Sequence, residues 1–96
     1  MVKIHKQALA EQDLLDIWLY TYKNWDAVQA DKYIDRLDNA FSLIAENPAI
    51  GNECNYIRQG YRKYQIERHV IFYTADNSKA SIIRVIGAAM DYQRHF

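Results

Sequence analysis

YRKYQIERHVIFYTADNSKASIIRVIGA, residues Tyr61 to Ala88, reads as three consecutive antiparallel strands. His69 to Ala75 (HVIFYTA) is rich in β-branched and aromatic residues and apolar on both faces. Side chains alternate between faces along a strand, so a run that avoids water on both sides suits the centre of a sheet. The polar cluster Asp76-Asn77-Ser78-Lys79 favours a turn, and Ala80 to Ile86 (ASIIRVI) then returns as a second strong strand. On the other side, Tyr61 to Ile66 is a weaker, charged strand that Glu67-Arg68 turns into the centre. A meander of this kind has a face that must be covered, and the residues before it supply the cover.

Working back from the meander, Val2 to His5 is a short β-like segment with Val2 and Ile4 on one face. It joins the later sheet as an added strand. Gln7 to Asn24 reads as a helix in which Leu14, Trp18, Tyr22 and Trp25 recur at near-helical steps, widened by Leu15 and Ile17. That aromatic stripe is expected to pack on the sheet. Asp26 opens a second helix with a capping-box spacing to Gln29, since a short acceptor at the N-cap satisfies a free backbone N–H. Ala30, Tyr33, Ile34, Leu37, Phe41 and Ile44 form its apolar stripe, and Asn47-Pro48 ends it, because the residue before proline is pushed out of the helical region. So short a link between the helices predicts an antiparallel αα-hairpin. Pro48 to Gly60 is expected as a loop in which Tyr56-Ile57-Arg58 begins to pair with the sheet. The element order β-α-α-β-β-β describes one α+β domain over residues 1–96, a helical hairpin packed on one face of a small antiparallel sheet. The helix stripes are expected to be buried against Val70, Phe72, Ile83 and Val85 or their alternates, since a one-residue slip exchanges the faces.

Composition narrows the class. Half of the 96 residues are apolar and a quarter charged, ordinary for a globular domain that needs neither metal nor disulfide to fold. No apolar run approaches the roughly 18 residues of a membrane span. The N-terminus lacks the apolar core of a signal peptide, and Cys54 has no partner for an internal disulfide. Both point to the cytoplasm. The net charge of zero is unevenly spread: residues 1–57 carry five Lys/Arg against nine Asp/Glu, and residues 58–96 carry seven against three. The sheet half is therefore basic, which attracts an acidic partner or a phosphate backbone, or is ordinary solvated surface.

Motifs for chemistry are few. Three glycines form no phosphate-binding loop, His5, His69 and His95 are scattered, and Cys54 lacks a nearby group to make it a thiolate. Ser42, Ser78 and Ser81 lie in no nucleophile elbow. What remains is a basic and polar set on or near the sheet: Arg58, Arg62, Lys63, Arg68, His69, Arg84, Tyr92, Arg94 and His95. Such a set fits metal-free RNA cleavage, which needs a base, an acid and cations for the phosphate. It fits a protein-docking surface or plain surface equally, and no cofactor is implied.

Four stretches carry a resemblance that covers nearly the whole chain. They are DLLDIW (Asp13 to Trp18), ADKYIDRLDNAFSLIAENPAIG (Ala30 to Gly51), GYRKYQIERHVIFYTADN (Gly60 to Asn77) and IIRVIGAAMDYQRHF (Ile82 to Phe96). In this order they resemble the ParE branch of the RelE/ParE superfamily of bacterial toxins from toxin–antitoxin pairs, including its RV at Arg84-Val85 and its MD at Met90-Asp91. The resemblance implies that the first strand pairs with the last. It also implies a cytoplasmic toxin that binds DNA gyrase and traps its cleaved-DNA complex. A cognate antitoxin would hold it inactive, and nucleic acid would be met only indirectly, through the antitoxin complex. Arg62, Arg84, Asp91, Tyr92 and Arg94 are the candidate target-binding residues, and the antitoxin-binding residues are left open. The alternatives are a ribosome-dependent ribonuclease using Arg62, Arg84, Tyr92 and His95, or a degenerate, non-toxic relative. Gly87-Ala88-Ala89-Met90 is small and apolar where such a ribonuclease would present a cation, and Ala88 and Ala89 depart from the basic or polar residue more usual in ParE proteins.

Overall fold

The computed structural model describes residues 1–96. Strand β1 (Lys3–Lys6) leads into helix α1 (Ala8–Asn24), and Trp25-Asp26 turns the chain into α2 (Ala27–Glu46). The Asp26 side chain caps α2 by accepting the Gln29 N–H at 2.8 Å, as the spacing of the two residues predicts. Then come β2 (Asn52–Glu53), β3 (Arg62–Ile66), β4 (His69–Ala75), β5 (Lys79–Gly87) and a terminal 3-10 turn, Tyr92–His95. The sheet is five-stranded in the order β1-β5-β4-β3-β2. The helical hairpin packs on one face, so the α+β class and the pairing of first with last strand are as the sequence implies.

Two features of the sheet differ from the sequence reading. β1 runs parallel to β5, with Lys3 opposite Lys79 and Lys6 opposite Ile82, so the sheet is mixed. A parallel neighbour needs a long crossover, and the helices and meander together supply one; four residues of sequence do not encode direction. The first residues to pair after α2 are Asn52 and Glu53, opposite Lys63 and Arg62, rather than Tyr56 to Arg58. The Glu67-Arg68 turn is as expected and holds Glu67 at φ 53°, a left-handed conformation that two-residue hairpins demand.

The core corrects the assignment of faces. Ile71 and Tyr73 of β4 pack with Leu37, Phe41 and Ile44 of α2, while Val70 and Phe72 face the other way. The pairing shifts between Phe72, opposite Arg84, and Tyr73, opposite Ile82, which leaves Ile83 as an extra residue. A bulge of this kind breaks the alternation, and it lets Ile82 and Val85, three apart, both join the helix-side core. Along α1 the buried positions are Ala10 and Ile17. Tyr22 and Trp25 are 50% and 59% exposed, contrary to the stripe read from sequence. Steps of four residues overshoot the 3.6-residue turn by about 40° each, so a line begun at Leu14 has drifted off the sheet by Tyr22, and Trp25 lies beyond the last helical residue, Asn24. Trp18 stacks on Tyr22 at 5.3 Å and donates its indole N–H to Asp31 of α2 at 2.9 Å.

Candidate functional site: a groove and a C-terminal strap

The groove is built on an aspartate of α1. Asp13 lies three residues after Ala10 and four before Ile17, on the side of the helix that meets the sheet. Its carboxylate accepts from Arg84 Nε at 2.7 Å, Arg84 Nη2 at 2.9 Å and the Val85 N–H at 2.9 Å. The Arg84 and Asp13 side chains are only 16% and 13% exposed. A planar guanidinium matches both oxygens of a carboxylate, and this pair ties α1 to β5. The hydrogen bond from Arg84 to Asp13 pushes the guanidinium further above its ordinary range, with burial opposing.

Beside it, the Tyr33 hydroxyl accepts the Arg68 N–H at 3.2 Å and lies 2.6 Å from His69 Nδ1. Burial lowers the His69 pKa below its ordinary 6.5, only partly offset by Asp13. The ring is therefore neutral at pH 7, and Nδ1 can accept the Tyr33 O–H. Burial likewise raises the Tyr33 phenol. These residues, with Tyr20, Trp25, Arg36, Met90 and His95, line a cavity of about 720 Å³ between the helices and the β4–β5 end of the sheet.

The opposite face of the sheet carries a second apolar cluster of Cys54, Val70, Phe72 and Ile86. Cys54 is fully buried there, and burial pushes its thiol pKa up, so it stays a protonated packing residue. The C-terminal strap, Asp91 to Phe96, crosses this face: the Tyr92 and Phe96 rings lie 5.2 and 5.0 Å from Phe72, and Phe96 meets Tyr61 edge-on at 5.6 Å.

The sequence-predicted residues divide among three places. Arg84 and His95 line the groove. Tyr92 lies on the other face, where Lys63 Nζ donates to its hydroxyl at 3.5 Å. Arg62 braces the loop after α2, donating to Gly51 O at 2.7 Å and meeting Glu53 at 3.4 Å. Asp91 and Arg94 pair with each other at 3.4 Å on the strap surface. Sequence reasoning passed over Asp13, Tyr33 and Tyr56. For Asp13 a signal existed, because an acid in line with Ala10 and Ile17 on an apolar helix face needs a buried partner. Tyr33 and Tyr56 offered none, since His69 and Tyr92 are each 36 residues away and Lys63, seven from Tyr56, meets it only across a loop.

Comparison with known proteins agrees with this architecture. Residues 2–92 match the family model described as ParE toxin of type II toxin-antitoxin system, parDE. Over 87 residues the chain is 37% identical to Toxin ParE1 of Mycobacterium tuberculosis, covering 90% of this chain and 89% of that one. It is 36% identical over 86 residues to Toxin ParE1 of Caulobacter vibrioides, covering 90% and 88%. Among solved structures, the chromosomal ParDE TA system from P. aeruginosa superposes with a TM-score of 0.78 at 15% identity, covering 91% of this chain and 96% of that chain. YafQ from E. coli superposes at 0.59 with 13% identity, covering 93% and 96%; these two likenesses bear on the fold alone. With a family match over residues 2–92 and relatives above one-third identity, the chain belongs to the ParE family and is a toxin of a type II toxin–antitoxin system.

Proposed function

We propose that this toxin acts by binding DNA gyrase, trapping the cleaved-DNA complex, and that a cognate antitoxin neutralises it by covering exposed apolar surface. The observation that carries the reading is the match to the ParE family over residues 2–92. The dispersal of the ribonuclease candidates supports it. Arg84 is tied to Asp13, Arg62 to the loop carbonyls, and Tyr92 and His95 sit at separate places. General acid–base cleavage needs its groups within hydrogen-bond reach of one phosphate, and these four would have to regroup. Within the target-binding set, Arg94 is the most exposed cation, 84% exposed beside its ion-pair partner Asp91. Asp91 and Tyr92 shape the strap that carries it. Arg62 and Arg84 act by holding the loop and the groove. Exposed Leu9, Leu15, Tyr20, Trp25 and Val28 are surface of the kind a partner covers. The toxin needs no cofactor, meets nucleic acid only through its complexes, and works where gyrase works, in the cytoplasm. No helix is long and apolar enough to cross a membrane.

The test uses purified gyrase with supercoiled DNA and, in parallel, translating ribosomes. Cleaved DNA accumulating with added toxin, less so as salt rises, and reversed by the antitoxin is the expected result. Message cleavage on ribosomes with gyrase unaffected would overturn the reading in favour of the ribonuclease.

A further inference from the structure

The strap is joined to the body by side chains more than by backbone. Ala88 N–H donates to Arg68 O at 2.8 Å. Beyond that point, Met90 N–H returns to Gly87 O, Arg94 N–H to Asp91 O and Phe96 N–H to Gln93 O. The Arg94–Asp91 ion pair is also internal to the strap. Ring contacts to Phe72 and Tyr61 hold Tyr92 and Phe96 down, with the soft geometric preference of aromatic pairs.

We propose that Lys63 is the clasp that fixes the strap, a positioning residue that sets how Arg94 is presented to the target; this rests on the reading that the strap docks on gyrase. Lys63 stands opposite Phe72 in the β3–β4 pairing, beside the ring that Tyr92 and Phe96 pack against. Its Nζ donates to the Tyr56 hydroxyl at 3.2 Å and the Tyr92 hydroxyl at 3.5 Å. The same ammonium is 5.8 and 5.5 Å from the two ring centroids, within the range of attraction between a cation and an aromatic face. The two hydroxyls are 3.3 Å apart. One ammonium thus gathers β3, the loop before it and the strap, and it is the only charged group of the body that bonds to the strap. The hydrogen bonds from Tyr92 and Lys63 hold the Tyr56 phenol below its ordinary range, and the bond to Tyr56 raises Lys63, as expected when an ammonium sits against phenol oxygens. Hydrogen bonds are more sharply directional than ring packing, so the clasp narrows the orientation that packing favours.

The test compares the parent with Lys63→Met and Tyr56→Phe. Amide hydrogen exchange at Arg94 and Phe96, the strap amides that donate hydrogen bonds, is read on the free toxin, and trapping of cleaved DNA is read with purified gyrase. Lys63→Met keeps an apolar stem and removes the ammonium. It is expected to speed exchange in the strap about tenfold, the loss of one charged hydrogen bond, while core amides of β4 and β5 and the Tm stay as in the parent. The concentration needed to trap gyrase should rise as the presented fraction of the strap falls, by at most the same factor. Tyr56→Phe leaves the net charge unchanged and removes one of the two hydroxyls, so a smaller rise in both readings separates positioning from lost charge. Strap exchange equal to the parent's in Lys63→Met overturns the clasp. Exchange rising throughout the molecule overturns it as well, by making Lys63 a residue of global stability. A loosened strap with parental potency overturns its role in presentation. A parent that fails to trap gyrase overturns the proposed target, and the exchange measurement still decides the clasp.

Discussion

Replacing Asp13 with alanine removes the acceptor of three hydrogen bonds in one step. The Arg84 guanidinium is left without its counter-charge in a site where it is 16% exposed, and the Val85 N–H loses its partner. Breaking one side of a buried pair costs about 3–5 kcal/mol, and residual exposure places this pair at the lower end, about 3 kcal/mol. A domain of this length has a stability on the order of 5–15 kcal/mol, so the loss is a large share of the whole. At roughly 4–8 °C per kcal/mol for a domain of this size, the Tm should fall by about 12–24 °C. Thermal and urea unfolding followed by circular dichroism measure it, and the partner variant Arg84→Met completes a double-mutant cycle. The double variant removes both charges together and should be less destabilised than the sum of the singles by at least about 1 kcal/mol. A fall of less than about 5 °C for Asp13→Ala, or strict additivity, would refute the reasoning. The result bears on function, because any loss of toxicity in Arg84 variants must be compared with the loss of folded protein before Arg84 is assigned a contact with the target.

The remaining predictions follow from other parts of the core. The His69 pKa is depressed by burial, so the unfolded chain takes up a proton first as pH falls; stability is complete above about 6.5 and declines from there towards the lower folded value. His69→Gln should flatten that segment of the Tm-versus-pH curve below about pH 6.5, and an unchanged slope counts against a buried neutral ring. Gly51→Ala should destabilise by about 1–3 kcal/mol, since an added Cβ would meet Tyr73 Oη at 2.6 Å and Lys63 O at 2.9 Å. Tyr73 cannot give way freely, as its hydroxyl donates to Pro48 O and accepts from Gly51 N–H; a Tm equal to the parent's would contradict this. Deleting Asp91 to Phe96 should lower stability by about 2 kcal/mol or more by stripping Tyr92 and Phe96 from Phe72, alongside any loss of gyrase trapping. A truncated protein that melts like its parent and still traps cleaved DNA would remove the strap from the mechanism.

The sequence by itself determined what depends on neighbours along the chain. The Asp26 cap, the α2 stripe of Leu37, Phe41 and Ile44, the Asn47-Pro48 stop and the Glu67-Arg68 turn are local or strictly periodic, and each stands in the structure as read. The ordered set of four motifs carried the family. Tertiary structure alone decided which face of β4 meets the helices, because a strand apolar on both sides has no preferred face and the bulge at Ile83 resets the alternation. It also decided the direction of β1, and which of the aromatics of α1 would be exposed, since a drift of about 40° per step of four is invisible until the sheet is in place. The candidate site was legible as residue types and not as a constellation. Arg84, Lys63 and Tyr92 draw their surroundings from Asp13, Tyr56 and Phe72, and apart from the nearby Lys63–Tyr56 contact these partners are brought together only by the sheet register and the folding of α1 and the strap onto its two faces.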